Sequence, residues 1–264
     1  SALGQTVFVA ENTSESYTAP SGVLHAIDVG SRNVIASCDL GGQPDSTAVA
    51  PDGSFITVAI ENERDEDLGE GRVPHMPAGY LVIQPLGANG AMDCAAQIRV
   101  DLTGLTDIAP EDPEPEFVDV NAQGDIVVTL QENNHIVVVS SAGEVLSHFS
   151  AGSVTLNSVD TEEEGALLFT DSLADIPREP DAVQWIDANH VVIASEGDMD
   201  GGSRGFTVFH RAGTEVFEAG ASFEHAIVQI GHYPEERSAN KGVEPEGMEV
   251  ANFGGVPMMF LLAA

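Results

Sequence analysis

The sequence predicts an all-β protein, a β-propeller built from antiparallel four-stranded blades, and three observations carry that reading. The first is a repeat: Gln43-Pro44-Asp45, Glu114-Pro115-Glu116, Glu179-Pro180-Asp181 and Glu244-Pro245-Glu246 place prolines 71, 65 and 65 residues apart, and a fixed long period marks a repeat architecture. The second is a shared succession after the first three prolines. Each leads into a short apolar run, a turn (51–53, 121–124, 187–189) and a second apolar run that ends on Glu61, Glu132 or Glu196. The third is composition: 27 glycines and 14 prolines, with no long stretch of helical periodicity, favour many turns and short strands.

Each unit begins with a hairpin. Residues 46–50, 117–120 and 182–186 pair with 55–60, 125–130 and 190–194. In an antiparallel hairpin the residue entering the first strand and the residue leaving the second lie at one end. The proline triplet and the later glutamate therefore share a rim, and if the hairpins are inner strands around an axis, the rims converge on one mouth. The predicted ring comprises Asp45, Glu116, Asp181 and Glu246 with Glu61, Glu132 and Glu196. Two carboxylates about 5 Å apart repel by roughly 3 kcal/mol at an effective dielectric near 20, so the ring needs metal ions, protons or basic residues. The structural alternative is that each glutamate caps backbone amides of its own turn.

Taken in order, residues 6–10 match the second strand of a unit whose first strand is missing, and 22–29 with 33–40 finish that unit. Strands at 79–85 and 95–102 finish the second, 135–139 and 144–149 the third, 206–210 and 215–218 the fourth, with a further strand at 226–230. Residues 248–251 and 256–262 open a fifth unit. This predicts a single propeller region over 1–264 with three complete blades and partial blades at both ends, a fragment whose ring is completed by a second chain or a missing segment. A pitch of 65–71 residues exceeds the roughly 40–45 of a WD-type blade. The excess falls in acidic loops, 61–78, 103–113, 150–178 and 231–243, and loops on one face of a rigid scaffold are where function concentrates.

The net charge of −34, from 43 acidic against 9 basic residues, argues against nucleic acid and anionic membranes as partners. It accommodates bound divalent cations or a saline habitat. No run of 18 apolar residues spans a membrane. The chain opens without methionine or a signal peptide, which predicts a processed product. Cys38 and Cys94 form either one disulfide in an oxidising compartment or two buried thiols.

Three groups of residues carry candidate chemistry. Glu196, Asp198 and Asp200, followed by Gly201, stand at positions 1, 3, 5 and 6 of a loop, as in calcium loops, but the twelfth position is Thr207 and no helix flanks it. The candidate metal ligands are thus Glu61, Glu116, Glu132, Asp181, Glu196, Asp198, Asp200, Glu244 and Glu246. Six of the nine basic residues, Arg64, Arg72, Arg178, Arg204, Arg237 and Lys241, fall in rim-proximal loops. They either pair locally with the ring or reach into the mouth to hold an anion such as phosphate. His75 and His232 are placed to donate a proton or bind a metal. No nucleophile elbow, P-loop or zinc-protease motif is present.

The runs from Pro115 to Val139, Pro177 to Phe209 and, most specifically, Gly231 to Val250 resemble the bacterial choice-of-anchor I proteins. Those are similar in turn to mesenchyme-specific cell-surface glycoproteins, and the looser Glu-Pro and Ser-Glu patterns resemble the esterase-like phytase propellers. The resemblance implies a secreted, periplasmic or cell-surface propeller of alkaline-phosphatase-like or phytase-like labelling. It yields two expectations. One is a calcium-dependent phosphoesterase acting on a small anionic phosphoester. There ring-bound calcium or another divalent metal activates water, Arg178, Arg237 or Lys241 holds the phosphate, and Glu179 and His232 complete the catalytic set. The other is a non-enzymatic calcium-binding surface or matrix propeller.

Overall fold

The computed structural model describes residues 1–263, and it is built almost wholly from antiparallel hairpins. The first sheet runs β1 (Ala2–Leu3), β2 (Thr6–Asn12), β3 (Gly22–Asp28), β4 (Asn33–Asp39). The second runs β5 (Pro44–Val49), β6 (Phe55–Ile60), β7 (Tyr80–Pro85), β8 (Ile98–Val100). The third is β9 (Pro115–Val120), β10 (Ile126–Leu130), β11 (His135–Val139), β12 (Val145–Ser150). A separate hairpin, β13 (Ser153–Val159) with β14 (Asp171–Pro177), precedes the fourth sheet, β15 (Val183–Trp185), β16 (His190–Ser195), β17 (Gly205–His210), β18 (Glu215–Glu218). Helix α1 (Ser222–Gln229) and a last hairpin, β19 (Pro245–Phe253) with β20 (Val256–Ala263), complete the described chain.

The second, third and fourth sheets bury both faces of their inner strands, which explains why β6, β10 and β16 are apolar without alternation. Phe8 and Leu24 of the first sheet meet Ile56 and Val58 of the second. Leu81 and Ile83 meet Val128 and Val137 of the third. Val127 and Ile136 meet Val191 and Ile193 of the fourth, and Val192 and Ala194 meet Met248 and Leu261 of the last hairpin. Each such side chain contributes about 1.5–3 kcal/mol when fully buried. The first strands β5, β9, β15 and β19 pack against one another in sequence order, the arrangement of inner strands around a propeller axis. Among the described residues the hydrophobic clusters join successive sheets and none joins the first sheet to the last hairpin, so the array is a propeller-like arc.

Three local expectations are corrected. The strand before residue 6 exists, as the two-residue β1 paired with β2. Residues 150–178 are not simply a loop: Val154, Leu156 and Val159 alternate inward with Leu173 to give β13–β14 a core of its own. The segment 226–230 belongs to α1 and its end rather than a strand: Ile230 N donates to the Ala226 carbonyl one helical turn back, and Glu224 in the same helix is fully buried against Arg204. Cys38 on β4 and Cys94 form a disulfide with Cα atoms 5.3 Å apart, clamping the first sheet to the second.

The triplets distort their hairpins identically. Pro44 faces Ile60 and Thr47 faces Val58, so Asp45 and Ser46 together oppose Ala59. Pro115 and Val118 face Leu130 and Val128, leaving Glu116 and Phe117 opposite Thr129. Pro245 and Met248 face Ala263 and Leu261. In the fourth unit Ala194 alone accepts from Asp181 and donates to Ala182. A bulge with two residues against one re-aims the side chain at the break. The re-aimed residues are Asp45, Glu116, Asp181 and Glu246.

Candidate functional site

The bulges and the strand ends gather acidic side chains at one end of the arc. Their backbone is fixed by asparagines just after the hairpin glutamates. Asn62 Oδ1 accepts from Gln43 N at 2.9 Å, Asn133 Oδ1 from Glu114 N at 3.0 Å and Asn134 Oδ1 from Glu179 N at 3.0 Å. Each thus holds the residue before a triplet proline. Asn62 and Asn134 do so at φ 56° and 49°, a left-handed conformation that asparagine tolerates. Glu179 and Glu244, each preceding a proline, also have positive φ, 38° and 39°, which costs of order 1–3 kcal/mol at a non-glycine residue.

The electrostatics are those of carboxylates crowded out of water. Burial, then Glu132, Asp45 and Glu63, push Glu61 well above the usual carboxylate range. Burial, then Glu61, Asp45, Glu132 and Asp181, do the same to Glu116. Burial pushes Glu132 up to about 7 although Arg64 opposes the shift. Asp181 is pushed up to about 8 by burial with Glu196, Asp45 and Glu246. Asp45 keeps contact with solvent at the rim, yet the surrounding atoms and Glu63 push it up to about 6. The mutual couplings join side chains from four sequence repeats. Several oxygens there lack any hydrogen-bond partner: Glu116 Oε2, Glu132 Oε2 and Glu114 Oε1.

Arg64 is the base inside this cluster. Its guanidinium donates to Glu132 Oε1 at 2.8 Å, Glu114 Oε2 at 3.2 Å and the Gly71 carbonyl at 2.8 Å, and it pairs with Asp198. Burial and Glu132 push Glu114 up to about 10 despite this contact. Glu114 is a member of the site that the repeat alone does not single out, since the ring is read from the residue after each proline. The clasping asparagines are equally unmarked by it. Their recurrence in Glu61-Asn62 and Glu132-Asn133-Asn134 is the signal that could have found them.

The loop after Glu196 has the opposite polarity to a calcium loop. The carboxylate of Glu179, 2% exposed, fills its concave side and accepts from Asp198 N at 2.6 Å, Asp200 N at 2.9 Å and Gly201 N at 2.9 Å. Inward N–H groups form an anion nest, whereas a calcium loop turns oxygens inward. Burial raises the Glu179 pKa and the three amides oppose the shift, so Glu179 braces the loop instead of serving as a catalytic acid. The Asp198 and Asp200 carboxylates point away from the nest, to Arg64 and Arg72.

The remaining bases are also occupied. Arg178 turns outward, donating to Thr207 Oγ1 at 2.9 Å, Glu218 Oε2 at 2.8 Å and Glu215 Oε2 at 2.7 Å, with its guanidinium over the Phe209 ring. Arg204 is buried with Glu224, and Arg237 pairs with Glu244. Lys241 Nζ lies 3.0 Å from Glu196 and 3.2 Å from Glu244. His232 is exposed in a groove with Ile227, Pro234 and Leu261, and His75 Nδ1 accepts from Asp65 N.

Of the nine proposed metal ligands, the tightest grouping is Glu196, Glu244 and Glu246, which each offer an oxygen within 4.8 Å of the others. Lys241 and Arg237 are their present counter-charges. This trio adjoins Asp181 and so forms one side of the same mouth.

The sequence model of the choice-of-anchor I domain matches residues 2–201 and 199–262. No curated protein matches significantly. Among solved structures, hydrazine synthase of Kuenenia stuttgartiensis is similar at 12% identity and TM-score 0.50, over 78% of this chain and 56% of that one. The periplasmic gluconolactonase PpgL of Pseudomonas aeruginosa is similar at 15% identity and TM-score 0.48, over 81% and 53%. A protein from Lactobacillus plantarum gives 12%, 0.48, 81% and 52%. The chain therefore spans about half the length of these structures, and the likeness concerns the fold. By its description the matched family is a choice-of-anchor I domain rather than a phosphatase or phytase. Arg178, Arg237 and Lys241, expected to hold phosphate, are each bound to carboxylates. These findings overturn the calcium-dependent phosphoesterase. The disulfide and the family agree with an extracellular or periplasmic protein, and no helix among the described residues is long and apolar enough to cross a membrane.

Proposed function

This chain belongs to the choice-of-anchor I domain family, and from that premise we propose a binding module held outside the cytoplasm whose acidic mouth takes a divalent cation without performing hydrolysis. The observation that carries this reading is the convergence of Glu196, Glu244 and Glu246 within 4.8 Å, continuous with buried carboxylates whose Glu116 Oε2 and Glu132 Oε2 atoms have no partner. The donor set fits the group: carboxylate oxygens alone suit calcium or another hard divalent ion.

The chain's own residues perform two tasks in this reading. Glu196, Glu244 and Glu246 hold the ion and release Lys241 and Arg237, their present partners. Glu132 and Asp181, pushed up to about 7 and about 8, carry protons near neutrality and release them when positive charge enters the mouth. The bulges and the asparagine clasps supply rigidity, so little ordering accompanies binding. Isothermal titration of calcium and manganese into the chelator-treated chain tests the proposal. We expect saturable binding that Glu246→Gln weakens at least tenfold without altering the circular dichroism spectrum; heat indistinguishable from dilution for both ions would reject it.

A further inference from the structure

Strand β11 reads His-Ile-Val-Val-Val and is buried along its whole length, so His135, 5% exposed, is its one polar side chain. Burying a polar ring costs free energy unless its nitrogens find partners. His135 Nε2 finds His148 Nδ1 on β12, 3.1 Å away. The register explains the meeting. Ser150 opposes His135 and His148 opposes Val137, so the two rings stand on one face as a diagonal pair, a spacing that aromatic side chains span. Val137, on that face, packs with Leu81, Ile83 and Val100 of the second sheet. The loop after β8 comes to the same place: Leu105 packs on this core, and the Asp107 carboxylate lies close enough for its charge to act on His135. Burial outweighs that charge and pushes the His135 imidazole down to about 4, with His148 adding to the shift, so the ring is neutral at pH 7.

Two imidazole nitrogens that face each other have two uses. Between neutral rings one donates and the other accepts, a bond worth about 0.5–1.5 kcal/mol. In the other use both lone pairs point at one metal ion. Nitrogens about 2.0–2.1 Å from an ion stand about 3.3–3.4 Å apart at a tetrahedral angle and about 2.8–3.0 Å apart at a right angle. The separation of 3.1 Å falls between these values, so a shift of a few tenths of an ångström seats an ion. Because the contact uses Nε2 of one ring and Nδ1 of the other, each ring keeps its second nitrogen for the proton, as a metal-bound histidine does. His148 is exposed and gives the ion an entry path. The other close pair, His190 and His210, offers no such site: the rings meet edge to face, His190 Nδ1 is bound to Asp187 and His210 Nδ1 accepts from Ala212 N.

We propose that His135 and His148 form a bis-imidazole site for a divalent transition-metal cation. The Asp107 carboxylate balances its charge and water completes the coordination. Nitrogen donors suit copper, nickel and zinc, whereas the carboxylates of the mouth suit calcium, so the two sites take different ions. The histidine site stands whether or not the mouth binds calcium.

Copper(II) is the probe because it heads the affinity order for such ligands. It is titrated into the untagged chain with calcium in excess and followed by electron paramagnetic resonance. The expected result is one nitrogen-ligated ion per chain, its spectrum split by two imidazole nitrogens. His148→Ala, at an exposed position that leaves folding intact, should weaken this binding at least tenfold and leave at most one coupled nitrogen, while His210→Ala changes neither. A spectrum from oxygen ligands alone would overturn the proposal. So would a two-nitrogen spectrum that persists in His148→Ala, or one that His210→Ala abolishes.

Discussion

Raising the pH from 5 to 8 in the presence of chelator should destabilise the protein, the reverse of ordinary acid denaturation. Glu132 sets the scale because it is 2% exposed and is pushed from its ordinary 4.5 up to about 7 by burial. A carboxyl whose folded pKa exceeds its unfolded value binds more protons when folded, so stability falls as pH rises between the two values. The decline from this residue is about 3 kcal/mol, spread over pH 4.5 to 7. Asp181, pushed up to about 8, extends the decline to higher pH, and because these groups face one another they titrate as a unit. Urea unfolding at pH 5, 6, 7 and 8 measures the slope. Glu132→Gln, which keeps the side chain's shape and removes its titration, should make the decline shallower by up to about 3 kcal/mol, leaving the share that Asp181 and its neighbours contribute. Stability that is flat or rising across this range, or a slope unaffected by Glu132→Gln, would refute the reasoning that the mouth holds uncompensated carboxyls.

Other perturbations have equally definite outcomes. Cys38→Ser, which opens a loop of 56 residues, should cost roughly 4 kcal/mol in the chain-entropy model, measured as a urea midpoint that dithiothreitol shifts in the native chain but not in the variant. Glu179→Ala leaves the amides of Asp198, Asp200 and Gly201 without their acceptor; exchange at residues 197–201 should accelerate at least tenfold while the β10 and β16 amides stay protected. Asn133→Ala removes the acceptor of Glu114 N and the donor to the Asp112 carbonyl, and should cost about 2–3 kcal/mol in chemical denaturation.

The proline period exposes the hairpins and the rim because both are local consequences of chain direction. The inner strands are legible for the same reason, their apolar runs being long enough to decide. The bulges are not legible, since a two-against-one pairing depends on where the partner strand's register falls, which Asp45-Ser46 and Ala59 do not reveal separately. Glu196 to Ser203 shows the limit most clearly. Its acids stand at the spacing of a calcium loop, but the orientation of its peptide groups is set by Glu179, which is distant in sequence and occupies the space an ion would need. The fate of the arginines is equally hidden, because Arg178 chooses Glu215 and Glu218 over the mouth only once β18 lies beside it. Helix α1 escapes a sequence reading because the buried partner of Glu224, Arg204, arrives from another loop.

The central claim is that protons and a divalent cation compete for one set of carboxylates, and a pH-stat measurement tests it most directly. Adding calcium to the unbuffered, chelator-treated chain at pH 7 should release protons in proportion to occupancy, with the release reduced in Glu132→Gln. Calcium that binds without releasing protons, or elicits neither binding nor release, would contradict the account.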